Sequence, residues 1–252
     1  MGRMTEAVKH LLIINVILFF ATQLYGEQMY QWLALWFPKN SNFHWWQIVS
    51  HMFMHGGLMH IAFNMFALWM FGTPVERVLG KNRFLFVYFS AGLGAVLFQL
   101  GYYYFNFLPA ETELLSTGLS NEQLVQMMTS NQLQDGLTNL QASTVRAVLP
   151  EYAQIYYASM VGASGCIMGV LAAFGMMNPE ARLMLIFLPI PIKAKYFIPG
   201  IILLDVISAI TGQSFFSPSN TAYMAHVGGA IVGFLIMWYW KKNQFNQNRW
   251  DQ

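Results

Sequence analysis

Apolar residues recur along the chain in runs that approach the length of a bilayer span, separated by polar or charged segments. A transmembrane helix needs about 20 predominantly apolar residues. The pattern therefore predicts six transmembrane helices and an all-α polytopic membrane protein, formed as a single domain over residues 1–252. The six runs lie at residues 11–25, 58–75, 84–105, 157–177, 196–211 and 222–240.

The composition supports the membrane class. Hydrophobic residues make up 56% of the 252 residues and charged residues only 10%, whereas an average soluble domain has about 25% charged residues. So few charges could not cover the surface of a soluble globule. The first run, residues 11–25, lacks a small-residue cleavage site and is therefore predicted to remain as a span instead of being removed as a signal peptide.

The basic residues test the span count, because Lys and Arg concentrate in cytoplasmic loops. With six spans, eleven of the thirteen Lys and Arg fall on one side, and only Lys39 and Arg146 fall on the other. This asymmetry predicts that both termini are cytoplasmic, and it accounts for the net charge of +2 without a nucleic-acid partner. The eleven are Arg3, Lys9, Arg77, Lys81, Arg83, Arg182, Lys193, Lys195, Lys241, Lys242 and Arg249.

Two segments are predicted on the outer side. Residues 26–50 hold four tryptophans, and tryptophan prefers the headgroup zone, so this loop is predicted to lie in the outer interface. Residues 107–153 form a polar extracytoplasmic insertion between the third and fourth spans. The spacing of Ser120 and Gln123 is typical of a capping box, which predicts one or two short amphipathic helices in the insertion.

The role of the insertion stays open between a tolerated loop and a surface that recruits substrates. Recruitment is slightly favoured, because the predicted amphipathic helix has an apolar stripe with no core of its own to cover. The stripe consists of Leu124, Met127 and Met128.

Polar side chains inside spans are costly, so each one is a functional candidate. His60 and Asn64 lie four residues apart in the second span, which places them on one helix face. His226 opens the sixth span and is followed at helical spacing by Gly229 and Gly233, so this face can approach a neighbouring helix closely.

Ser164 stands between glycines near the start of the fourth span, and taken alone such small residues favour close helix packing. Its depth changes that interpretation. Counted back from the charges that end their spans on the inner side, Ser164, His60, Asn64 and His226 all lie roughly 20–27 Å above those charges, in a core about 30 Å thick. A similar height on three helices indicates one shared site in the outer half of the membrane.

The chemistry that such a cluster can support is acyl transfer. Serine becomes a strong nucleophile when a base takes its proton, and histidine suits that task near neutral pH. The oxyanion that forms then needs hydrogen-bond donors, which Asn64, His60 and free backbone N–H groups near Ser164 can supply.

These residues form a pattern that resembles the rhomboid intramembrane serine proteases. The matching motifs are Gly162-Ala163-Ser164-Gly165, Ala225-His226 with Gly229-x-x-x-Gly233, His55-x4-His60-x3-Asn64, Trp46 ten residues before Gly56, and Glu76-x-x-x-Gly80. The resemblance covers roughly residues 43–105 and 157–240, and it implies the six-helix rhomboid fold.

The resemblance also implies the function of individual residues. Ser164 would be the nucleophile and His226 the base of a dyad without an essential acid, with His60, Asn64 and the Ser164 N–H as oxyanion donors. His55 would be a supporting residue near a water-accessible cavity. Gly162, Gly229 and Gly233 would also support the site. Family members cleave transmembrane substrates near the outer end of a span.

Two positions depart from the family pattern. Gln47 follows the loop tryptophan where many bacterial relatives have arginine, and Met168 stands four residues after the serine, where an aromatic residue often packs against the catalytic histidine. Neither departure removes a catalytic group.

Four further residues stand outside these motifs. Asp205 lies near mid-membrane in the fifth span and needs a partner or a proton. It could be a third triad member, although the family works without one. Phe215 and Phe216, in the loop before His226, are either a lid over the site or ordinary interfacial aromatics. Cys166, the single cysteine, is expected to be a buried, inert thiol.

The sequence thus predicts a serine endopeptidase of the bacterial plasma membrane, with transmembrane proteins as substrates and the lipid bilayer as its surroundings. No cofactor, metal or nucleic acid is expected, and the oligomeric state stays open. One alternative is a rhomboid-fold pseudoenzyme that binds membrane helices without cutting them. A proton-coupled transporter is less favoured, because Asp205 is the only acid that the apolar runs contain.

Overall fold

The computed structural model describes residues 3–185, 188–215 and 221–243. Its contacts fall into two compact units. The larger unit comprises Met1–Leu35, Trp45–Gln99 and Met160–Gln252, and the smaller unit comprises Trp36–His44 and Leu100–Ser159. The single domain over residues 1–252 stays a prediction.

Helices dominate the larger unit. Helix α6 belongs to it up to Gln99 and continues into the smaller unit. The helices are α1 (Glu6–Tyr25), α2 (Glu27–Leu33), α3 (Gln47–Ser50), α4 (Leu58–Ala67), α5 (Thr73–Leu79), α6 (Lys81–Ser116), α9 (Ser164–Met177), α10 (Ala194–Thr211) and α11 (Tyr223–Asn243). Two-residue strands β1 (Leu35–Trp36) and β2 (Ser159–Met160) lie where the chain passes from one unit to the other.

Five of the described helical segments are long and apolar enough to cross a bilayer: Glu6–Tyr25, Leu58–Leu79, Lys81–Ser116, Ala194–Thr211 and Tyr223–Asn243. The run predicted at 157–177 gives a shorter helix, α9, with 14 residues. Its start is delayed because Gly162, with φ +130°, has a backbone conformation that a right-handed helix cannot contain. The described structure thus contains five candidate spans and one short apolar helix.

The segment Leu58–Leu79 is not one regular helix. A π-helical turn, Leu68–Gly72, connects α4 to α5. Pro74 stands in the first turn of α5, where the N–H that proline lacks would have no partner within the helix. Gly80, with φ +78°, ends α5.

Glu76 explains part of the motif at the end of this segment. Its carboxylate is buried and accepts hydrogen bonds from the backbone N–H groups of Ala7 and Val8, both at 2.9 Å. These N–H groups open α1 and have no partner within that helix. Glu76 therefore caps α1 from α5 with a charge that also suits the helix dipole.

Two paired strands lie between α9 and α10, in a segment whose Lys and Arg residues were assigned to the inner side. Strand β3 (Arg182–Leu185) pairs antiparallel with β4 (Leu188–Lys193), with Arg182 opposite Lys193. Next to it Glu180 forms ion pairs with Lys193 at 2.7 Å and Lys195 at 2.5 Å. These two ammonium groups lower the pKa of the exposed Glu180 carboxyl to about 2.

The smaller unit contains the second part of α6 with α7 (Asn121–Ser130) and α8 (Asn139–Tyr156). The predicted capping box at Ser120 and Gln123 is present, and Thr138 and Gln141 form a second one at the start of α8. The unit also has a hydrophobic core of its own, with Phe37, Phe107, Leu114, Leu124, Met127 and Tyr152 among its buried members.

This core contradicts one expectation. The apolar stripe of α7 was expected to have no core to cover, but Leu124 is 0% exposed and Met127 is 3% exposed within the smaller unit. The partners come from distant parts of the chain, such as Phe37 and Phe107, so local periodicity could not reveal them. The argument that favoured recruitment over a tolerated insertion therefore falls away.

Candidate active site

Ser164 opens helix α9, directly after a bend at Gly162. The Gly162 N–H donates to the His51 carbonyl at 2.9 Å, which fixes the chain before the helix begins. The first N–H groups of a helix have no partner within it. Ser164 is half-buried, whereas every residue from Gly165 to Phe174 is buried. The hydroxyl thus stands at the accessible end of a helix that is otherwise enclosed by protein.

His60 and Ser164 face the same small space. A Cβ atom built on Gly162 would lie 2.9 Å from His60 Nε2 and 3.5 Å from Ser164 Oγ. Any side chain at Gly162 would fill this space and collide with the imidazole. Glycine is therefore required here both by the φ of +130° and by the approach of the two side chains.

The hydrogen bond to His60 fixes its tautomer. The Gly56 N–H donates to His60 Nδ1 at 3.3 Å, so a neutral ring at His60 carries its proton on Nε2. That Nε2–H is the edge which approaches Gly162 and the Ser164 side. His60 therefore presents a hydrogen-bond donor to the site.

His226 has the opposite arrangement. Its Nδ1 lies 2.8 Å from Asp205 Oδ2, and Asp205, on α10, is 0% exposed. A carboxylate can only accept, so Nδ1 carries the proton and Nε2 of a neutral ring keeps its lone pair. The sequence indicated that Asp205 needs a partner, and the partner is His226.

Glycines hold the helices of Ser164 and His226 against each other. A Cβ atom on Gly229 would lie 2.0 Å from the Gly165 carbonyl oxygen, and one on Gly233 would lie 2.4 Å from the Gly169 carbonyl oxygen. The backbones of α9 and α11 therefore touch, as the spacing of Gly229 and Gly233 predicts. Gly165 and Gly169 supply the other half of this seam, and their own four-residue spacing was the signal that could have revealed it.

The close approach continues to the ends of α9 and α11 that carry Ser164 and His226. A Cβ atom on Gly165, next to Ser164, would lie 3.6 Å from the carbonyl oxygen of Ala225, next to His226. The buried Gln99 side chain accepts from the Ala225 N–H at 3.2 Å and so holds the start of α11 from α6. Gln99 was not among the sequence-predicted site residues, because its position on an otherwise apolar helix carries no recognisable motif.

Asn64 and His55 lie close to His60. Asn64 is one turn further along α4 and is buried, and its Nδ2 makes no hydrogen bond to the part of the chain that the structure describes. The rings of His55 and His60 meet edge-to-face with centroids 5.0 Å apart. Burial lowers the pKa of His55 to about 3, so this imidazole is neutral at physiological pH.

The remaining candidates differ in their positions. Cys166 is buried, as expected, and Met168 is buried in the core of the larger unit.

Gln47 is buried and its Nε2 donates to the Gln31 carbonyl at 3.0 Å, so it anchors the tryptophan-rich loop without an arginine. Phe215 is 53% exposed. Phe216 lies outside the described residues, and the lid hypothesis stays a prediction.

Comparison with known proteins decides the family. The model of the Rhomboid domain matches residues 42–243, which is most of the chain. This chain belongs to the rhomboid family. As a rhomboid protein with several candidate spans, it is a multi-pass membrane protein.

Related rhomboid proteins occur in mitochondria and bacteria. The human mitochondrial presenilin-associated rhomboid-like protein is 30% identical over 188 residues, which cover 74% of this chain and 35% of that protein. Rhomboid protease AarA of Providencia stuartii is 28% identical over 201 residues, covering 76% and 54% of the two chains. Rhomboid protease GluP of Bacillus subtilis is 33% identical over 85 residues, covering 32% and 17%. The chain thus spans between about a third and a half of the first two relatives.

Proposed function

We propose that this rhomboid protein is an intramembrane serine endopeptidase with Ser164 as nucleophile and His226 as general base. One observation carries the proposal: the close contact of Gly165 with Gly229, which brings the start of α9 against the helix of His226. Two relatives that are named rhomboid proteases add to this support. A pseudoenzyme is the alternative, but the chain has both the serine and the histidine that proteolysis needs.

The reaction follows from the two tautomers. His226 Nε2 takes the proton of Ser164 Oγ as that oxygen attacks the peptide carbonyl carbon, and the carbonyl oxygen becomes an oxyanion. His60 Nε2–H, Asn64 Nδ2 and the Ser164 N–H are proposed to donate to the oxyanion. Protonated His226 then gives its proton to the leaving amine. Water, deprotonated by His226, hydrolyses the acyl-enzyme and restores Ser164.

We further propose six spans, with α9 as the fourth and both termini cytoplasmic. Its 14 residues extend about 21 Å, less than the hydrocarbon core. A helix surrounded by protein does not need to match the lipid thickness, and the burial of Gly165–Phe174 supports this explanation. The segment 26–50 then lies in the outer interface, where the exposed Trp32 and Trp45 suit the headgroup zone.

The proposed substrates are transmembrane proteins cut near the outer face, and the proposed location is the bacterial plasma membrane. The named relatives include bacterial and mitochondrial proteins, and the basic inner face gives the orientation of the chain in the membrane.

The test is cleavage of a single-span protein substrate by the purified chain in liposomes, followed by mass spectrometry of the products. We expect one or a few cuts near the outer end of the span, and none with Ser164→Ala. The same cuts by Ser164→Ala would contradict the nucleophile. Binding of the span without any products by the intact chain would favour the pseudoenzyme.

A further inference from the structure

Asp205 is the buried acid for which the proposed dyad has no role. It is 0% exposed on α10, and its Oδ2 lies 2.8 Å from His226 Nδ1. We propose that Asp205 is a positioning residue that completes a Ser164–His226–Asp205 triad. This inference rests on the proposed function and adds a group that acts only through His226.

The burial of Asp205 requires an explanation. An ionised carboxylate in an apolar interior costs several kcal/mol unless a hydrogen-bonded partner offsets the cost. Apart from Ser208, the neighbouring residues of α10 are apolar, in the stretch IILLDVISAI. Packing alone would be satisfied by leucine or asparagine, so a carboxylate whose oxygen meets an imidazole nitrogen points to a use of its charge.

The contact selects one tautomer of His226. With Nδ1–H donated to Asp205, the lone pair is on Nε2, at the other edge of the ring. Only a ring in this state can take a proton from a serine hydroxyl through Nε2. The carboxylate also stabilises the imidazolium that forms during attack, without taking the proton itself.

His60 provides an internal contrast. Its Nε2 edge approaches Gly162 beside Ser164, the residue that His226 is proposed to activate. Its Nδ1 accepts from a backbone N–H instead of donating to a carboxylate, and its Nε2 therefore carries the proton. The same side chain is thus prepared as a donor on α4 and as a base on α11, and Asp205 is what makes the difference.

A purely structural role is the competing explanation, since the contact also ties α10 to α11. Such a tie would affect melting and substrate affinity, whereas positioning affects turnover and the proton position on His226. Asp205→Asn keeps the size of the side chain and removes the charge. Ser208→Ala is a matched control, because Ser208 is 1% exposed on the same helix and its hydroxyl bonds to Leu204 of that helix.

The first measurement is steady-state cleavage by the full chain in liposomes. Asp205→Asn should lower kcat by at least about tenfold, and by up to about 10⁴-fold as for the aspartate of a soluble triad, with KM within about twofold of wild type. Ser208→Ala should keep the wild-type kcat. A wild-type kcat in Asp205→Asn, or an equal loss in both variants, would overturn the positioning role and leave the proposed protease function in place.

The second measurement does not depend on cleavage. Histidines labelled with ¹⁵N in the ring report which nitrogen is protonated, and His226→Gln identifies the His226 signals. In the wild-type chain His226 should carry its proton on Nδ1 when the ring is neutral, and Asp205→Asn should increase the Nε2–H population. A wild-type His226 protonated on Nε2 would overturn the inference even if Ser164→Ala had already disproved the proposed nucleophile.

Discussion

His60 and His226 have the same side chain in two environments that give it opposite hydrogen-bonding properties. The backbone N–H of Gly56 donates to Nδ1 of His60, whereas Nδ1 of His226 lies 2.8 Å from the buried Asp205 carboxylate. The neighbour of Nδ1 therefore decides whether Nε2 is a donor or an acceptor. In both histidines the group bound at Nδ1 thus determines the hydrogen-bonding property of Nε2, at the opposite edge of the ring.

The largest expected effect comes from removing the proposed base, His226, or the serine that it activates, Ser164. His226→Ala and Ser164→Ala should each lower kcat by on the order of 10⁶-fold, because the two groups act as a unit. The double variant should be no worse than either single one. Cleavage kinetics in liposomes measure the loss, and thermal melting near that of wild type serves as the control. Substantial turnover by either single variant would contradict the assignment.

Removing one of the proposed oxyanion donors, His60 or Asn64, should lower kcat less. His60→Ala and Asn64→Ala should each lower kcat by about 10²–10³-fold with little change in KM, since one lost oxyanion donor has that effect. The same kinetic assay separates the two constants. If either change raises KM alone, that residue binds substrate. It would then not stabilise the oxyanion of the transition state as a hydrogen-bond donor.

A substitution in the glycine seam tests whether α9, with Ser164, and α11, with His226, must be in close contact. Gly229→Val would place a side chain where the Gly165 carbonyl already lies, so α11 must move away from α9. Overpacking of this kind costs about 1–3 kcal/mol or more, and melting temperature and kcat should fall together. Ile231→Val, at a 37% exposed position of α11, is the matched control. Lost activity with unchanged melting would show that the seam is not a packing surface.

The smallest effect on turnover should come from the smaller unit. Leu124→Ala removes a fully buried side chain and should destabilise that unit by about 3–5 kcal/mol. Local hydrogen exchange of α7 and α8 would report this loss, and Leu140→Ala, at a 66% exposed position, is the control. Cleavage of a bare single-span peptide should stay within about twofold of wild type. A large fall in kcat would mean that the smaller unit takes part in catalysis.

Sequence patterns predicted the features that depend on local spacing. The long apolar runs produced helices, the positions of Gly229 and Gly233 indicated a seam, and Ser120 with Gln123 indicated a capped helix. Each of these signals lies within a few turns of one helix.

Features that join distant segments were not accessible in this way. An apolar helix such as α10 has no polar face from which its rotation can be read, so the contact of Asp205 with His226 had no periodic signal. The buried environment of Leu124 required Phe37 and Phe107, which lie far away in sequence. The π-helical turn before α5 likewise lies within a segment that reads as one continuous span.

The most direct test of the central claim is covalent labelling of the proposed nucleophile. The full chain in liposomes is treated with a fluorophosphonate, which reacts only with activated serines, and the modified residue is located by mass spectrometry. We predict a single adduct on Ser164 in the wild-type chain, and no adduct in His226→Ala, because the unassisted hydroxyl is a weak nucleophile. Labelling of another residue, or equal labelling of Ser164 in both chains, would contradict the activation of Ser164 by His226.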